Sequence, residues 1–381
     1  MQSKNLKSHK YIIFAIDHYN SLGVARSLGE EGLQSILVSL KGRWPVTEKS
    51  KYVKEVYNVE SHDEGLQILC DRFGNEEEDK LPFIITCDDV TMRYLDDRYE
   101  ELKDKFIFFN AGRNGRITEY MDKFKILEIA KKHGFNILKT EMVERGVVPA
   151  SLEYPIITKS ISPVVGGWKS DVFICNSERE LKMAYTKIKS PKVLIQKYIN
   201  KKNEYCLDGF SINCGNSHIT TIESTYNYLI PGYYSPYMTV KNFNNPEIES
   251  KLYSMLNEIG FEGIWCTEFL IDQDGTYYFT EVNFRNSTWS YASTEAGMNL
   301  VVGWIKATLD NEIDRKNLYK KIPDNFTAMV EPIDYQKRVV EGETELGEWL
   351  RDFKEVNCSF YYSKDDIKPF YEMMLNWKKL N

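Results

Sequence analysis

The sequence lacks an apolar run long enough to cross a membrane. Its first markedly apolar run, Tyr11–Ile16, spans six residues. A membrane-spanning helix needs about 20, and the apolar core of a secretory signal peptide needs at least ~7. We therefore expect a soluble, cytoplasmic protein with no membrane partner.

The sequence also lacks the residue patterns of several functional classes. Seven cysteines and five histidines are dispersed along the chain without a CxxC pair, so they indicate neither a zinc site nor a histidine-based catalytic triad. An odd, scattered set of cysteines is typical of reduced thiols in a cytosol. The net charge of −7 provides no large basic surface, so we do not expect nucleic acid as a partner.

The N-terminal part of the chain has the pattern of a parallel sheet. Tyr11–Ile16 and Ile36–Ser39 are predicted strands on either side of a helix over Gly23–Glu31, and this βαβ order implies parallel strands joined by a right-handed crossover. A further predicted strand, Phe83–Thr86, precedes Asp88-Asp89. Open α/β sheets bind ligands at that end of a strand, although helix capping is the commoner role of such aspartates.

The stretch Trp265–Arg285 carries the clearest chemical pattern. Asp274-Gly275 predicts a two-residue turn between two strands, because both residues tolerate positive φ. With that turn, Glu268 lies directly opposite Glu281. A four-residue loop, Asp272–Gly275, would shift the register by two and make the glutamates diagonal neighbours. In either register they share one face, since side chains alternate along a strand.

Asn283 and Arg285 extend the face that carries Glu268 and Glu281. Like charges facing each other across a strand pair are destabilising, by up to about 1 kcal/mol, so two carboxylates and an amide indicate a cation between them. Oxygen ligands favour Mg²⁺ or Mn²⁺ over zinc. The alternative is an exposed acidic face on an ordinary hairpin. The opposite, apolar face should lie on a core and comprises Trp265, Phe269, Ile271, Tyr278, Val282 and Phe284.

Glu268 and the segment Glu281-Val-Asn283-Phe-Arg285-Asn-Ser resemble the metal-binding strands of the ATP-grasp superfamily, whose members use ATP to join a carboxylate to an amine. The following stretch, Trp289–Leu300, is most similar to the carbamoyl-phosphate-synthetase-like branch, which includes D-aspartate ligases. The resemblance covers roughly residues 10–305. It implies that ATP and two Mg²⁺ ions are the cofactors, with Glu268, Glu281 and Asn283 as metal ligands and Mn²⁺ as an alternative ion.

Two lysines and a glycine pair match the phosphate-binding parts of that family. Lys123 lies near the start of a helix predicted over Thr118–His133, and Lys159 lies in an apolar strand. A lysine neutralises phosphate charge, and the bare backbone of Gly166 and Gly167 could close over phosphates as a lid. The alternatives are a solvated helix lysine for Lys123 and a simple hairpin connection for the glycine loop.

The resemblance also places the rest of the nucleotide site. The strand Lys192–Ile199 matches a hinge whose backbone reads the adenine edge, here through Gln196, Lys197, Tyr198 and Ile199, and Glu204 is the candidate for the ribose. Arg285, with Lys159, is the implied catalytic group: it would bind the transferred phosphoryl group and the carbonyl oxygen. An ion pair between Arg285 and either glutamate is the alternative.

Together these features predict an α/β chain with an α+β ATP-grasp core. We expect an N-terminal Rossmann-like parallel-sheet domain over residues 1–115, a two-lobed ATP-grasp domain over 116–310 with its lid lobe over about 140–200, and a C-terminal appendage over 311–381. Residues 225–245 are predicted to be irregular, and 311–381 carry no recognisable chemistry.

The implied reaction is amide formation through an acyl phosphate, from a small-molecule carboxylate and an amine, with an amino acid such as aspartate as a candidate substrate. Two other functions stay open: a kinase that phosphorylates a small molecule, and a non-catalytic nucleotide-binding module. The sequence leaves the oligomeric state open, a homo-oligomer included.

Overall fold

A computed structural model describes residues 6–42, 45–149, 151, 153–161, 168–230 and 234–380. Within these ranges no helix combines the length and the apolar character needed to cross a bilayer. The described residues form three sheets of five, four and seven strands. The five-stranded sheet is parallel, as the βαβ pattern predicted.

The five-stranded parallel sheet has the strand order β3-β2-β1-β4-β5. Its strands and helices are β1 (Tyr11–Ile16), α1 (Tyr19–Glu30), β2 (Ser35–Leu40), β3 (Val53–Val59), α2 (His62–Phe73), β4 (Phe83–Ile85), α3 (Asp89–Asp96), α4 (Tyr99–Leu102) and β5 (Ile107–Phe108). Helix α1 begins four residues before the predicted Gly23, because the His18 side chain accepts a hydrogen bond from Asn20 N and Ser21 Oγ accepts one from His18 N. This reciprocal cap satisfies N–H groups at the helix start.

The helix predicted over Thr118–His133 is divided in two. The parts are α5 (Arg116–Tyr120) and α6 (Lys123–Lys132). The Asp122 carboxylate accepts hydrogen bonds from Phe124 N and Lys125 N at 2.8 and 3.1 Å, which starts a new helix at that point. Lys123 therefore stands in the first turn of α6. The buried face of α6 consists of Ile126, Leu127, Ile129 and Ala130.

The four-stranded antiparallel sheet has the order β6-β9-β7-β8. Its elements are β6 (Thr140–Glu144), β7 (Ile156–Lys159), β8 (Ile174–Cys175), α7 (Glu178–Tyr185) and β9 (Lys192–Lys197). A small core of its own, which includes Ile156, Leu181 and Ile195, lies between this sheet and α7. Gly166 and Gly167, the predicted lid glycines, lie outside the described residues.

The seven-stranded sheet has the order β14-β13-β10-β11-β12-β15-β16 and is antiparallel except at its last pair. Its strands, with the helices between and after them, are β10 (Asn203–Ile212), β11 (Ser217–Tyr226), β12 (Tyr237–Asn242), α8 (Pro246–Ile259), β13 (Gly263–Ile271), β14 (Tyr277–Asn283), α9 (Ser290–Glu295), α10 (Leu300–Asp310), α11 (Arg315–Leu318), β15 (Thr327–Met329), α12 (Glu331–Tyr335), α13 (Leu346–Glu355), β16 (Cys358–Ser359) and α14 (Lys368–Leu380). The expectation of an irregular 225–245 was therefore wrong for the part that forms β12.

The β13–β14 hairpin pairs Glu268 directly with Glu281, which is the register that a two-residue turn predicted. The register arises, however, from a longer loop combined with a bulge. Asp272 pairs with Thr276, so the loop has three residues, and Gly275 at its end has φ +83°. This loop alone would place Thr280 opposite Glu268. A bulge next to Glu268 adds one residue to β14 and brings Glu281 into that position.

The bulge also changes which residues of β14 face the core. The prediction that Tyr278 lies on the apolar face was wrong, because Phe279 occupies that place at 1% exposure and Tyr278 pairs with Leu270 outside it. The other members of the predicted face are confirmed: Trp265, Phe269, Val282 and Phe284 are buried, and Ile271 packs against the same core.

The end of β14 is fixed against the parallel sheet. The side-chain amides of Asn20 and Asn286 hydrogen-bond each other, and Asn286 N donates to Thr86 O at 3.2 Å. Farther along, Trp304 of α10 packs edge-on against Phe83 and Phe109 with ring centroids 5.5 and 4.8 Å apart. The contacts of Asn286 hold the end of the hairpin at the carboxyl edge of β1 and β4.

Residues beyond 311 contact both helix α1, which packs on the parallel sheet, and the seven-stranded sheet. The guanidinium of Arg26 in α1 is fully buried and donates to Asp366 Oδ2 at 3.1 Å and to the carbonyl oxygens of Phe360 and Tyr361. Because β15 pairs with β12, the same segment also extends the seven-stranded sheet.

Candidate active site

A pair of facing glutamates lies at the centre of the site. Glu268 and Glu281 are directly paired on β13 and β14, and Asn283, two residues along β14, donates from Nδ2 to Glu268 Oε1 at 2.7 Å. The bulge in β14 therefore brings all three predicted metal ligands to one face of the sheet.

The two glutamates differ in their electrostatic surroundings. Burial, followed by the charge of Glu281, raises the pKa of Glu268 to about 8. Burial acts on Glu281 in the same sense, but the ammonium of Lys123 holds the pKa of Glu281 below its ordinary value. The cleft lined by these side chains therefore contains one ionised carboxylate, that of Glu281. The carboxyl group of Glu268 ionises readily only when a further positive charge is bound nearby.

Lys123 and Lys159 reach the same cleft from two different elements. Lys123 Nζ donates to Glu281 Oε2, and the backbone N–H of Lys123 donates to Ile161 O at 2.8 Å, which ties α6 to the segment after β7. Burial alone would lower the pKa of Lys123, but Glu281 and Glu268 hold it above the ordinary value. Burial and the nearby charge of Lys123 lower the pKa of Lys159 to about 8.

Gln196 supports Lys159. Its Oε1 accepts a hydrogen bond from Lys159 Nζ at 2.9 Å, and its Nε2 donates to Thr140 Oγ1 at 2.9 Å. The side chain is 2% exposed, so it orients the lysine from within the sheet. The predicted hinge continues with Lys197 at the end of β9 and then with Tyr198 and Ile199, which lead towards β10.

Two predicted nucleotide contacts are engaged within the protein. The backbone N–H of Tyr198 donates to Pro155 O at 3.0 Å, and the Glu204 carboxylate forms an ion pair with Lys201. Glu204 nevertheless lies close enough to the cleft to raise the pKa values of both Lys159 and Glu268, as a smaller influence beside burial. The roles of the hinge backbone and of Glu204 stay predictions.

Arg285 forms an ion pair that the sequence analysis missed. Its Nε donates to Asp89 Oδ1 at 2.8 Å, and one terminal nitrogen donates to Asp89 Oδ2 at 3.4 Å and to Asn283 Oδ1 at 3.1 Å. Burial would lower the pKa of Arg285, but Asp89 keeps it above the ordinary value. The guanidinium thus stands beside the amide of Asn283, a predicted metal ligand, where the end of β14 meets the parallel sheet.

Asp88 and Asp89 have separate roles. Asp88 caps α3 by accepting from Thr91 N at 2.8 Å, as the capping alternative predicted, and it also accepts from Ile16 N at 2.9 Å. Asp89 is the residue that faces Arg285. The sequence placed this aspartate pair at the ligand-binding edge of the sheet, but no local pattern indicated that Asp89 would meet a residue 196 positions later.

The donor set fits magnesium bound together with phosphate oxygens. Among the described residues, no group of three His, Cys, Asp or Glu side chains could hold a metal ion, since the hairpin offers two carboxylates and an amide. Mg²⁺ commonly takes one or two carboxylates and completes its shell with substrate phosphates and water. A divalent ion would also offset the burial and the charge of Glu281, which together raise the pKa of Glu268.

No protein-family model matches the chain, but several solved structures have the same fold. One is L-amino acid ligase from Bacillus licheniformis, with a TM-score of 0.60 and 15% identity over 79% of this chain and 74% of that one. A second is N5-carboxyaminoimidazole synthetase from Staphylococcus aureus complexed with ADP, with a TM-score of 0.63 and 16% identity over 81% and 80% of the two chains.

A third similar structure is the biotin carboxylase domain of 2-oxoglutarate carboxylase from Hydrogenobacter thermophilus, in complex with MgADP, ADP and bicarbonate. Its TM-score is 0.63, with 20% identity over 84% of this chain and 73% of that one. Each of the three matches covers about four fifths of this chain. The chain therefore shares its fold with these three proteins, as the resemblance to ATP-grasp enzymes implied.

Proposed function

We propose that the chain is an ATP-dependent ligase that joins a carboxylate to an amine through an acyl phosphate. The observation that carries the proposal is the convergence of the facing pair Glu268 and Glu281 with Lys123, Lys159 and Arg285 in one cleft. Two carboxyl groups beside three cationic side chains form a site that would bind a polyanion together with a divalent cation.

In this proposal Glu268, Glu281 and Asn283 hold Mg²⁺, which, when bound, neutralises charge on the β- and γ-phosphates of ATP. A cation on Glu281 would compete with Lys123 for that carboxylate and free the ammonium for a phosphate. Lys159, oriented by Gln196, would hold phosphate oxygens from the other side. The matched structures with ADP and MgADP support this assignment of the cleft.

Arg285 would act on the reacting groups. Its guanidinium offers several N–H donors in a fixed plane, which suits a transferred phosphoryl group and the carbonyl oxygen next to it. The carboxylate substrate would attack the γ-phosphorus, ADP would leave, and the amine would then displace phosphate from the acyl carbon. We propose an amino acid as one substrate, and the likeness to an L-amino acid ligase supports that choice.

A screen with Mg-ATP tests this function. Purified protein is incubated with paired carboxylates and amines, amino acids and nucleotide-linked acids included, while released phosphate and the organic product are measured. The ligase predicts an amide with ADP and phosphate in equal amounts. A stable phosphorylated product would instead indicate a kinase, and saturable ATP binding without turnover a non-catalytic module.

Glu281→Gln provides the matched test of the site. The variant should keep its fold and lose ATP turnover, because it removes one of the two carboxylates proposed to hold the metal. Glu247→Gln, at a carboxylate on α8 that is 77% exposed, is the control and should turn over ATP like the wild type. Near-wild-type turnover by Glu281→Gln would remove the metal role and the proposal with it.

A further inference from the structure

The parallel sheet reverses its strand order at the pair β1–β4. From β1 the chain moves to β2 on one side, whereas β4 and β5 lie on the other. In open α/β sheets, ligands bind in the crevice outside the carboxyl ends of the strands at such a reversal. Here the crevice opens between His18, which follows β1, and Asp89, which follows β4.

The opposite wall of this crevice is the end of β14. The amide pair of Asn20 and Asn286, and the bond from Asn286 N to Thr86 O, hold the residue after Arg285 against the strand ends. Arg285 therefore projects into the crevice beside Asp89. Burial lowers the pKa of His18 to about 4, so His18 is uncharged near pH 7. The cation paired with Asp89 is Arg285, and Lys123 stands near enough for Asp89 to help raise its pKa.

The carboxylates of Asp88 and Asp89 differ in the partners that hold them. Both Asp88 oxygens are held by structural donors, Oδ1 by Thr91 N and Oδ2 by Thr91 Oγ1 and Ile16 N. Asp89 instead contacts the guanidinium of Arg285, which under the proposed function would bind a phosphoryl group. Its side chain keeps 24% exposure, so a small molecule could reach it.

An amine substrate needs a group of this kind. Primary amines carry a proton at neutral pH, with a pKa of about 8 for α-amino groups and about 10 for alkylamines such as lysine, and an ammonium has no lone pair for attack. A carboxylate beside the acyl carbon could bind the ammonium and take its proton. When Arg285 turns towards a phosphoryl group, the charge of Asp89 is left for that ammonium.

We propose that Asp89 binds the ammonium group of the amine substrate and accepts its proton before attack. This inference rests on the proposed ligase function. One proton passes from R–NH₃⁺ to the Asp89 carboxylate, and the nitrogen lone pair then forms the C–N bond to the acyl carbon. The C–O bond to phosphate breaks, the leaving phosphate takes the second proton of the nitrogen, and Asp89 returns its proton to solvent.

Hydroxylamine and methylamine separate a proton acceptor from a merely structural residue. The two nucleophiles have equal numbers of heavy atoms, but at pH 7 hydroxylamine is mostly neutral and methylamine is mostly protonated. The acids are the twenty standard L-amino acids and D-aspartate with Mg-ATP, and the readouts are the hydroxamate, the methylamide and released phosphate. Wild-type protein should couple both nucleophiles to the same acid at pH 7.

Asp89→Asn should reduce methylamide formation about a hundredfold more than hydroxamate formation, the scale of general-base catalysis. This difference should shrink as the pH rises towards 9, where free methylamine becomes more abundant, and Asp89→Glu should restore part of the methylamide rate. The control is Asp63→Asn, which removes an 83%-exposed carboxylate from the first turn of α2 and should affect neither rate.

If Asp89→Asn reduced the rates of hydroxamate and methylamide formation equally, the aspartate would be only a structural partner of Arg285. That result would overturn this inference and leave the ligase proposal standing. So would wild-type protein that couples hydroxylamine but not methylamine at pH 7. Wild-type protein that forms neither product and releases no phosphate with any acid would remove the ligase proposal itself, and the inference with it.

Discussion

Glu268 and Glu281 face each other across β13 and β14 because two irregularities of the hairpin compensate for each other. The three-residue loop shifts the register by one position, and the bulge on β14 shifts it back. The result places two carboxylates at the closest cross-strand spacing in a cleft where burial disfavours charge. Such an arrangement costs stability in the protein alone and is relieved by a bound cation.

Glu268→Gln should therefore stabilise the metal-free protein. Because the pKa of Glu268 is raised to about 8, the folded protein retains a proton that the unfolded chain loses near pH 4.5. The wild type loses this contribution to stability as the pH rises from about 4.5 to 8. The variant should gain stability at pH 8 and less at pH 5, and the gain at pH 8 should be at least the roughly 1 kcal/mol that facing like charges cost.

Thermal unfolding with and without MgADP measures both halves of that prediction. MgADP should raise the melting temperature of the wild type much more than that of Glu268→Gln, whereas Glu247→Gln should respond like the wild type. A variant that is less stable than the wild type at pH 8 without metal would contradict the proposed repulsion.

Lys159 should give nucleotide binding a pH limit. Its pKa of about 8 means that the free protein loses this ammonium above pH 8, and the proposed contact with phosphate needs the charged form. The Kd for MgATP should then rise by up to about tenfold per pH unit above 8, until the pKa of the bound form is reached.

Isothermal titration calorimetry between pH 7 and 9.5 tests that limit. Lys159→Gln should bind more weakly at pH 7 and show little further weakening above pH 8. Lys192→Gln, on the neighbouring strand β9 with a side chain 54% exposed, should keep the wild-type profile. A flat wild-type profile would place Lys159 away from the bound phosphates.

The bulge predicts opposite outcomes for two neighbouring aromatic residues. Phe279→Ala should cost about 3–5 kcal/mol, because the ring is buried among Phe135 and Phe269 and its removal leaves a cavity. Tyr278→Ala should cost less, about 1 kcal/mol, because this half-buried ring lies outside the core. Urea unfolding followed by tryptophan fluorescence measures both, and the reverse order would mean that β14 alternates without a bulge.

The buried ion pair of Arg26 with Asp366 predicts that residues beyond 311 unfold together with α1. Arg26→Met should cost about 3–5 kcal/mol, because Asp366 would keep a buried charge without its cation. Lys251→Met removes the exposed pair with Glu247 and should cost at most about 1 kcal/mol. If Arg26→Met costs no more than Lys251→Met in urea unfolding, the segment is not held by this contact.

Sequence patterns predicted the structure correctly where it depends on residues close together in the chain. A continuous apolar run located β1, and alternation along the strands located the shared face of Glu268 and Glu281. The same reasoning misplaced Tyr278, since no residue near Thr280 signals an added position in β14. Helix α6 begins at Lys123 because the Asp122 side chain caps it, and that capping signal is visible in the sequence although a continuous helix was predicted.

The remaining features depend on contacts between distant parts of the chain. Asp89 and Arg285 meet because Asn286 is fixed to the strand ends of the parallel sheet, and neither residue's neighbours indicate that docking. Strands β15 and β16 have only three and two residues, too few to show alternation. β15 forms where the edge of β12 provides backbone partners, and β16 forms on β15, so both depend on the assembled sheet.

The placement of β15 beside β12 has a consequence for the order in which the protein can be completed during synthesis. Until the ribosome has passed Met329, β12 keeps a row of unpaired backbone groups along one side, and such rows readily recruit strands from other molecules. The glutamate hairpin is translated earlier than the strand that covers this edge. A ribosome-bound chain halted between β14 and β15 should therefore associate with other chains more readily than one halted after residue 360.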